Sequence, residues 1–244
     1  MNNRKRVNKL VDEILVELPK AEPIYDKNGK RIKMSALNYM IYILTNSKHK
    51  IIAHAGRIWV YYNGTYIPIE SKTRTENFIM ECVKKIDSVL FVTATTVANI
   101  LTELFMQYYE LFPIKDAEVT YINMLSKVLA VHKNGKVELL EHDEKYNFTY
   151  QLGFDYDPNA KAPVFNKFMN TSLADQNLIN AIGEYFGYVL NTNSKNHEKA
   201  LMMYGDGSNG KSTLINIAKY LYGKENISVV ELTEMGEMTK TALM

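Results

Sequence analysis

The stretch Gly205-Asp206-Gly207-Ser208-Asn209-Gly210-Lys211-Ser212-Thr213 constrains this chain more than any other. It reads G-x-x-x-x-G-K-[ST] with a further Thr. Glycines at those positions let the backbone approach an anionic group and take positive φ values. An apolar run, Leu201-Met202-Met203-Tyr204, precedes it, and Leu214, Ile215, Ile217, Ala218 and Leu221 follow at helical spacing. The run predicts a short buried strand, and the spacing predicts a helix that begins near Lys211. Strand, loop and helix in that order aim consecutive N–H groups into a concave nest at a helix N-terminus, which is a phosphate-binding arrangement. Lys211 then reaches the β- and γ-phosphates of a nucleotide, and the Ser212 hydroxyl ligates Mg2+. The expected cofactors are therefore ATP and Mg2+, held by Gly205 through Thr213.

The remaining composition is that of an ordinary globular chain. Hydrophobic residues make up 46% and charged residues 23%, enough for a sizeable core. A single cysteine, Cys82, excludes an intrachain disulfide framework and fits a reducing compartment. No apolar run has bilayer length, and the polar, basic start lacks a signal-peptide core, so no membrane partner is expected. Charge is uneven. Residues 1–50 carry 11 Lys/Arg against 5 Asp/Glu, whereas the remainder carries 18 against 22. The basic start (Arg4, Lys5, Arg6, Lys9, Lys27, Lys30, Arg31, Lys33) suits either nucleic-acid phosphates or plain solvent.

Val7, Leu10, Val11, Ile14, Leu15 and Leu18 predict an amphipathic helix ended by Pro19, followed by a loop through Asp26-Lys27-Asn28-Gly29. Ser35 is a cap for a second helix through about Asn46. Strand-like runs flank Asn63-Gly64, the strongest short-range hairpin signal, and Asn134-Gly135 marks a second hairpin. Trp59, Tyr61, Tyr62 and Tyr66 are either a base-stacking platform or a half-buried strand surface. Helices are predicted over 76–89, 95–111, Pro163 to about Leu173, and Gln176 to Leu190. Asp155-x-Asp157 has the spacing of a two-metal carboxylate pair, but Pro158-Asn159 directly after it argues for a turn. His132, His142 and His197 lie near no cysteine, which argues against zinc.

Several of these stretches occur together: His132-Lys133-Asn134-Gly135, Tyr156-Asp157-Pro158-Asn159-Ala160 with Ala162-Pro163-Val164-Phe165, Phe186-Gly187-Tyr188-Val189-Leu190, and Tyr204 through Thr213. In order and spacing they resemble the phage and plasmid primase–helicase family, which joins a poxvirus-primase-type N-terminal domain to a superfamily 3 helicase. The resemblance covers about residues 75–244. It implies an ATP-driven DNA-unwinding motor of replication in the cytoplasm of a bacterial host. The motor acts as a homo-oligomeric ring on single-stranded or forked DNA, with a neighbouring subunit's arginine completing each ATP site.

The expected fold class is α/β: a mixed α+β N-terminal region followed by the start of a P-loop (RecA/AAA-like) ATPase sheet. The expected division is a basic helical region with a hairpin (1–72), a helicase-associated primase-type domain (73–192) and an incomplete ATPase domain (193–244). The family's Mg-holding acidic strand lies further beyond the P-loop than the 31 residues here extend. Glu231, after Ile227-Ser228-Val229-Val230, is the in-chain candidate for a catalytic role. The alternative expectation is therefore a truncated module without catalytic activity that binds DNA or a replication partner. A small-molecule kinase shares the loop pattern but usually carries it near the N-terminus, whereas 204 residues precede it here.

Overall fold

Val7, Leu10, Ile14 and Leu18 recur at helical spacing, and α1 (Asn3–Glu17) with the residue after it buries all four. The computed structural model to which this helix belongs describes residues 3–69, 71–87, 92–107, 116–173, 175–191, 199–207 and 209–230. The chain divides into two compact units, Met1–Ile114 with His142–Thr149, and Lys115–Glu141 with Tyr150–Met244.

In the first unit, α1 is followed by a two-stranded ribbon, β1 (Ile24–Tyr25) against β2 (Arg31–Ile32), where the sequence suggested only a loop. Next comes α2 (Ala36–Asn46), whose N-terminus is capped as expected: Ser35 Oγ accepts from Asn38 N–H. Strands β3 (Ile51–His54), β4 (Arg57–Tyr62) and β5 (Thr65–Pro68) form an antiparallel meander. Its β4–β5 turn is the two-residue Asn63-Gly64, with φ positive at both residues as a type I′ turn requires. Helix α3 (Lys72–Ile86) starts earlier than its apolar periodicity suggests, because Ser71 Oγ accepts from Arg74 N–H and adds a polar first turn. Thr93 caps α4 (Ala94–Met106) in the same way.

Strand alternation divides the aromatic-rich sheet between two environments. Ile51, Ile58 and Val60 join a core with Leu10, Met40, Ile43, Phe78, Ile79, Val83, Ile100 and Leu104, while Ile52 and Tyr66 cluster on the other face with Trp59 and Tyr61. Cys82 belongs to the first core, where burial pushes its thiol pKa up. The buried carboxylate of Asp87 closes α3. It accepts from Arg31 Nη2 at 2.7 Å and Tyr39 Oη at 3.4 Å.

Burial, with Asp87 adding to it, raises the Tyr39 pKa from 10.0 to about 12. Burial, then Asp143 and Glu144, raises Tyr61 equally, and Tyr222 of the second unit follows through burial and Tyr185. The folded state therefore holds these phenols protonated where the unfolded chain has begun to ionise. Their contribution is complete below pH 10 and is lost as pH rises towards 12. The expected result is alkaline unfolding in that window, with a fraction of the tyrosines titrating only as helical circular dichroism collapses. Fully normal phenol titration would refute it.

In the second unit β6 (Val119–Asn123), β7 (Val128–His132) and β8 (Val137–Leu140) form another antiparallel meander, with the β7–β8 turn at Asn134-Gly135. Pro163 occupies the first turn of α5 (Pro163–Ser172), and Asp175 caps α6 (Gln176–Val189). Helix α7 (Lys211–Tyr222) packs against them through Leu214, which clusters with Met169 and Ile182.

The described residues are thus mixed α+β, with seven α-helices and three small sheets, all antiparallel. The strand expected at Leu201–Tyr204 is not formed among them. The segment joins no ladder, and Met202 and Tyr204 are 91% and 99% exposed. A strand needs a neighbour to take its N–H and C=O groups, and no described segment supplies one. Ile227–Val230 likewise forms no strand.

Candidate functional site

Gly210 sets the geometry of the candidate loop. At φ 85° it stands in the left-handed region as the N-cap residue of α7, and its carbonyl accepts from Leu214 N–H at 2.9 Å. A Cβ there would lie 3.1 Å from Phe168 and from Ser172 Oγ, both in α5. The turn is therefore seated against a helix that no local signal connects to it. Gly210→Ala is expected to lower stability by about 1–2 kcal/mol through the strained φ and this contact. Urea denaturation checks it, and an unchanged midpoint would refute it.

The other end of α7 is fixed as well. Tyr222 Oη donates to Phe186 O at 2.9 Å, and its ring meets Phe186 edge-on at 5.9 Å. With Leu214 buried near one end and Tyr222 at the other, the helix that follows the loop is held along α6.

Within the loop Lys211 folds back. Its Nζ donates to Gly205 O at 2.7 Å, Asp206 O at 2.8 Å and Asn209 Oδ1 at 2.6 Å. A Cβ on Gly205 would lie 2.4 Å from Asn209 Nδ2 and 3.6 Å from Lys211 Nζ, so the missing side chain is what leaves room for this closure. Gly205, Asp206, Asn209, Gly210 and Lys211 are brought together around one ammonium. Gly207 has open space beside it, and Ser212 and Thr213 are exposed on the first turn of α7. Ser208 lies outside the described residues, as do Glu231 and His197.

Beside the loop, α5, α6 and residues 201–204 enclose a cavity of about 320 Å³, lined by Phe168, Leu173, Ile182, Met203, Asn209 and Lys211 among others. Apolar side chains form most of its wall, and the loop forms one side.

The carboxylate pair does not converge. Asp155 accepts from Ser126 N–H and from Ser126 Oγ, both at 2.8 Å, bracing the β6–β7 turn. Asp157 Oδ1 accepts from Asn159 N–H at 2.9 Å, an Asx turn that agrees with Pro158-Asn159. Among the described residues no group of three or more His, Cys, Asp or Glu is placed to hold a metal ion. His132 contacts Glu138 at 2.8 Å, and Lys136 first, then His132, hold that carboxyl below its usual pKa.

The aromatic strand surface is largely committed to structure. Tyr66 has no exposure, its ring packs 5.2 Å from Tyr61, and Trp59 Nε1 donates to His54 O. No helix of the described residues is long and apolar enough to cross a membrane.

Residues 35–173 match the model of the family described as D5 N terminal like, a domain found in phage and plasmid primase–helicase proteins. No curated protein matches the chain. The match spans more than half of the 244 residues, taking in both meanders and α2 to α5: the chain belongs to the D5 N-terminal-like family.

Proposed function

We propose that this chain carries the ATP-binding loop of a phage or plasmid replication primase–helicase, with residues 193–244 as the start of its ATPase domain. The observation that carries this reading is the closed loop. One ammonium gathers three loop oxygens at 2.6–2.8 Å beside a left-handed glycine that opens a twelve-residue helix.

The residues present fit a nucleotide polyphosphate. Lys211 sits where phosphate oxygens can replace its loop acceptors, and the early N–H groups of α7 have no intrahelical partner. In this reading Lys211 neutralises β- and γ-phosphate charge, the amides of Asn209 through Thr213 orient the phosphate chain, and Gly207 admits it without a clash. The Ser212 hydroxyl is the Mg2+ ligand. Bound Mg2+ supplies charge neutralisation across the β- and γ-phosphates.

Hydrolysis and DNA unwinding belong to the complete ring, in which a neighbouring subunit completes the site and single-stranded or forked DNA is the substrate. The family match supports the replication setting.

Calorimetric titration of the chain with ATP, in the presence and absence of Mg2+, tests the reading. Saturable binding that weakens without Mg2+ is expected, and no heat at any ratio would overturn it.

A further inference from the structure

The β1–β2 ribbon has no evident place in packing the unit that carries it. Ile24, Tyr25 and Ile32 are 54%, 59% and 47% exposed, although an isolated two-stranded ribbon is marginal in water. It is nevertheless well ordered. Asp26 N–H donates to Lys30 O at 2.8 Å, Gly29 N–H donates to Asp26 O, and Asp26 Oδ1 accepts from Asn28 and Lys30 N–H, both at 2.8 Å.

Its base is fixed to the helices. Arg31 is paired with buried Asp87, Ala21 N–H donates to Ile86 O at 3.0 Å, and Lys33 Nζ donates to Thr96 Oγ1 at 3.2 Å. The ribbon also precedes residue 35, where the family match begins.

Charge at the tip is one-sided. Residues 20–33 hold Lys20, Lys27, Lys30, Arg31 and Lys33 against Glu22 and Asp26. Arg31 and Lys33 are tied to the base, and Asp26 is turned onto the turn's own N–H groups. Lys27 and Lys30 are exposed, and so is the Tyr25 ring of the same ribbon.

We propose that this ribbon is a contact site for single-stranded nucleic acid, with Lys27 and Lys30 on backbone phosphates and Tyr25 stacked on an unpaired base. A ribbon hydrogen-bonded within itself and anchored at its base presents these groups with little backbone ordering cost. An exposed ring accepts any base, because every base offers a π-face. An acidic or apolar protein partner would use the same three apolar side chains but would gain nothing from stacking.

The test is fluorescence anisotropy of the full chain with a labelled oligothymidylate over a salt series, beside a duplex of matched length. Lys27→Gln/Lys30→Gln is expected to reduce the slope of log K against log salt on the single strand by about 1.4, at roughly 0.7 per phosphate contact. Tyr25→Ala is expected to weaken single-strand binding by about tenfold, and Tyr25→Phe to restore it, since stacking needs only the ring. All three variants should keep the wild-type melting temperature, because none touches the anchoring contacts.

An unchanged salt slope in the lysine variant overturns the proposal. So does undetectable binding by the wild-type chain at low salt, or equal loss on single-stranded and duplex probes in Tyr25→Ala. A change confined to sedimentation, with nucleic-acid affinity intact, also overturns it and makes the ribbon a protein contact.

Discussion

Lys211→Ala is expected to abolish Mg-ATP binding in calorimetry, weakening it by more than about a hundredfold. Two charge-assisted hydrogen bonds to phosphate oxygens are worth about 1.5–3 kcal/mol each, and every 1.4 kcal/mol is tenfold in Kd. The substitution removes both bonds together with the cation that offsets β- and γ-phosphate charge.

Folding should not suffer, because the acceptors of Lys211 are exposed loop oxygens that water can satisfy. Thermal melts without nucleotide should therefore superimpose, and the separation should appear only on adding Mg-ATP. Lys211→Arg is expected to recover little: a planar fork cannot reproduce a point donor that meets three oxygens from different directions. Wild-type affinity in Lys211→Ala would remove the loop from nucleotide binding altogether.

Asp87→Ala is expected to cost about 2 kcal/mol of stability in urea denaturation, because it takes from Arg31 and Tyr39 their shared acceptor. The carboxylate is 6% exposed, stands at the C-terminal end of α3, and meets both Arg31 and Tyr39. A negative charge at that end opposes the helix dipole, so the arginine is what makes the position tolerable. Asp87→Asn keeps an acceptor for both partners without the charge, and about half the loss is expected for it. The effect should largely persist in high salt, since ions screen a partly buried contact little. A loss below about 1 kcal/mol would class the pair with surface ion pairs and refute the argument.

Where structure depends on neighbours in sequence, it was legible. Asn63-Gly64 forces both positive φ values itself, and Ser35 Oγ accepts from the N–H of Asn38 three residues away. The boundaries of α3 were less legible, since its first turn is polar and the periodicity begins only at Phe78.

The ribbon was invisible for a different reason. Two-residue strands show no alternation, and their anchor, Asp87, lies 56 residues beyond Arg31. At the loop, G-x-x-x-x-G-K-[ST] located every residue that now meets Lys211. It could not reveal Phe168 and Ser172 behind Gly210, because that contact joins segments about forty residues apart. The run 201–204 carries the composition of a buried strand, but composition does not provide a partner, and its Met202 and Tyr204 side chains stand in solvent. At Asp155 and Asp157 the spacing matches a metal pair, but the following Pro158-Asn159 pointed to a turn, and both carboxylates are indeed engaged in turns.

Residues 142–149 complete the first unit from beyond its main span. Phe148 O accepts from Tyr66 N–H at 2.7 Å and from Thr65 Oγ1 at 3.1 Å, covering the free edge of β5, and Lys50 pairs with Glu144 at 3.0 Å. On the ribosome this ordering has a kinetic meaning. When Ile114 has been made, the edge strand is already present but its cover, Phe148, is still untranslated, 34 residues further on. At 5–20 residues per second the nascent protein spends about 2–7 s with that edge bare, while the β6–β8 meander is synthesised in between. An exposed edge is a template for other chains. The most vulnerable moment in this protein's life is thus set by the order in which its residues are translated.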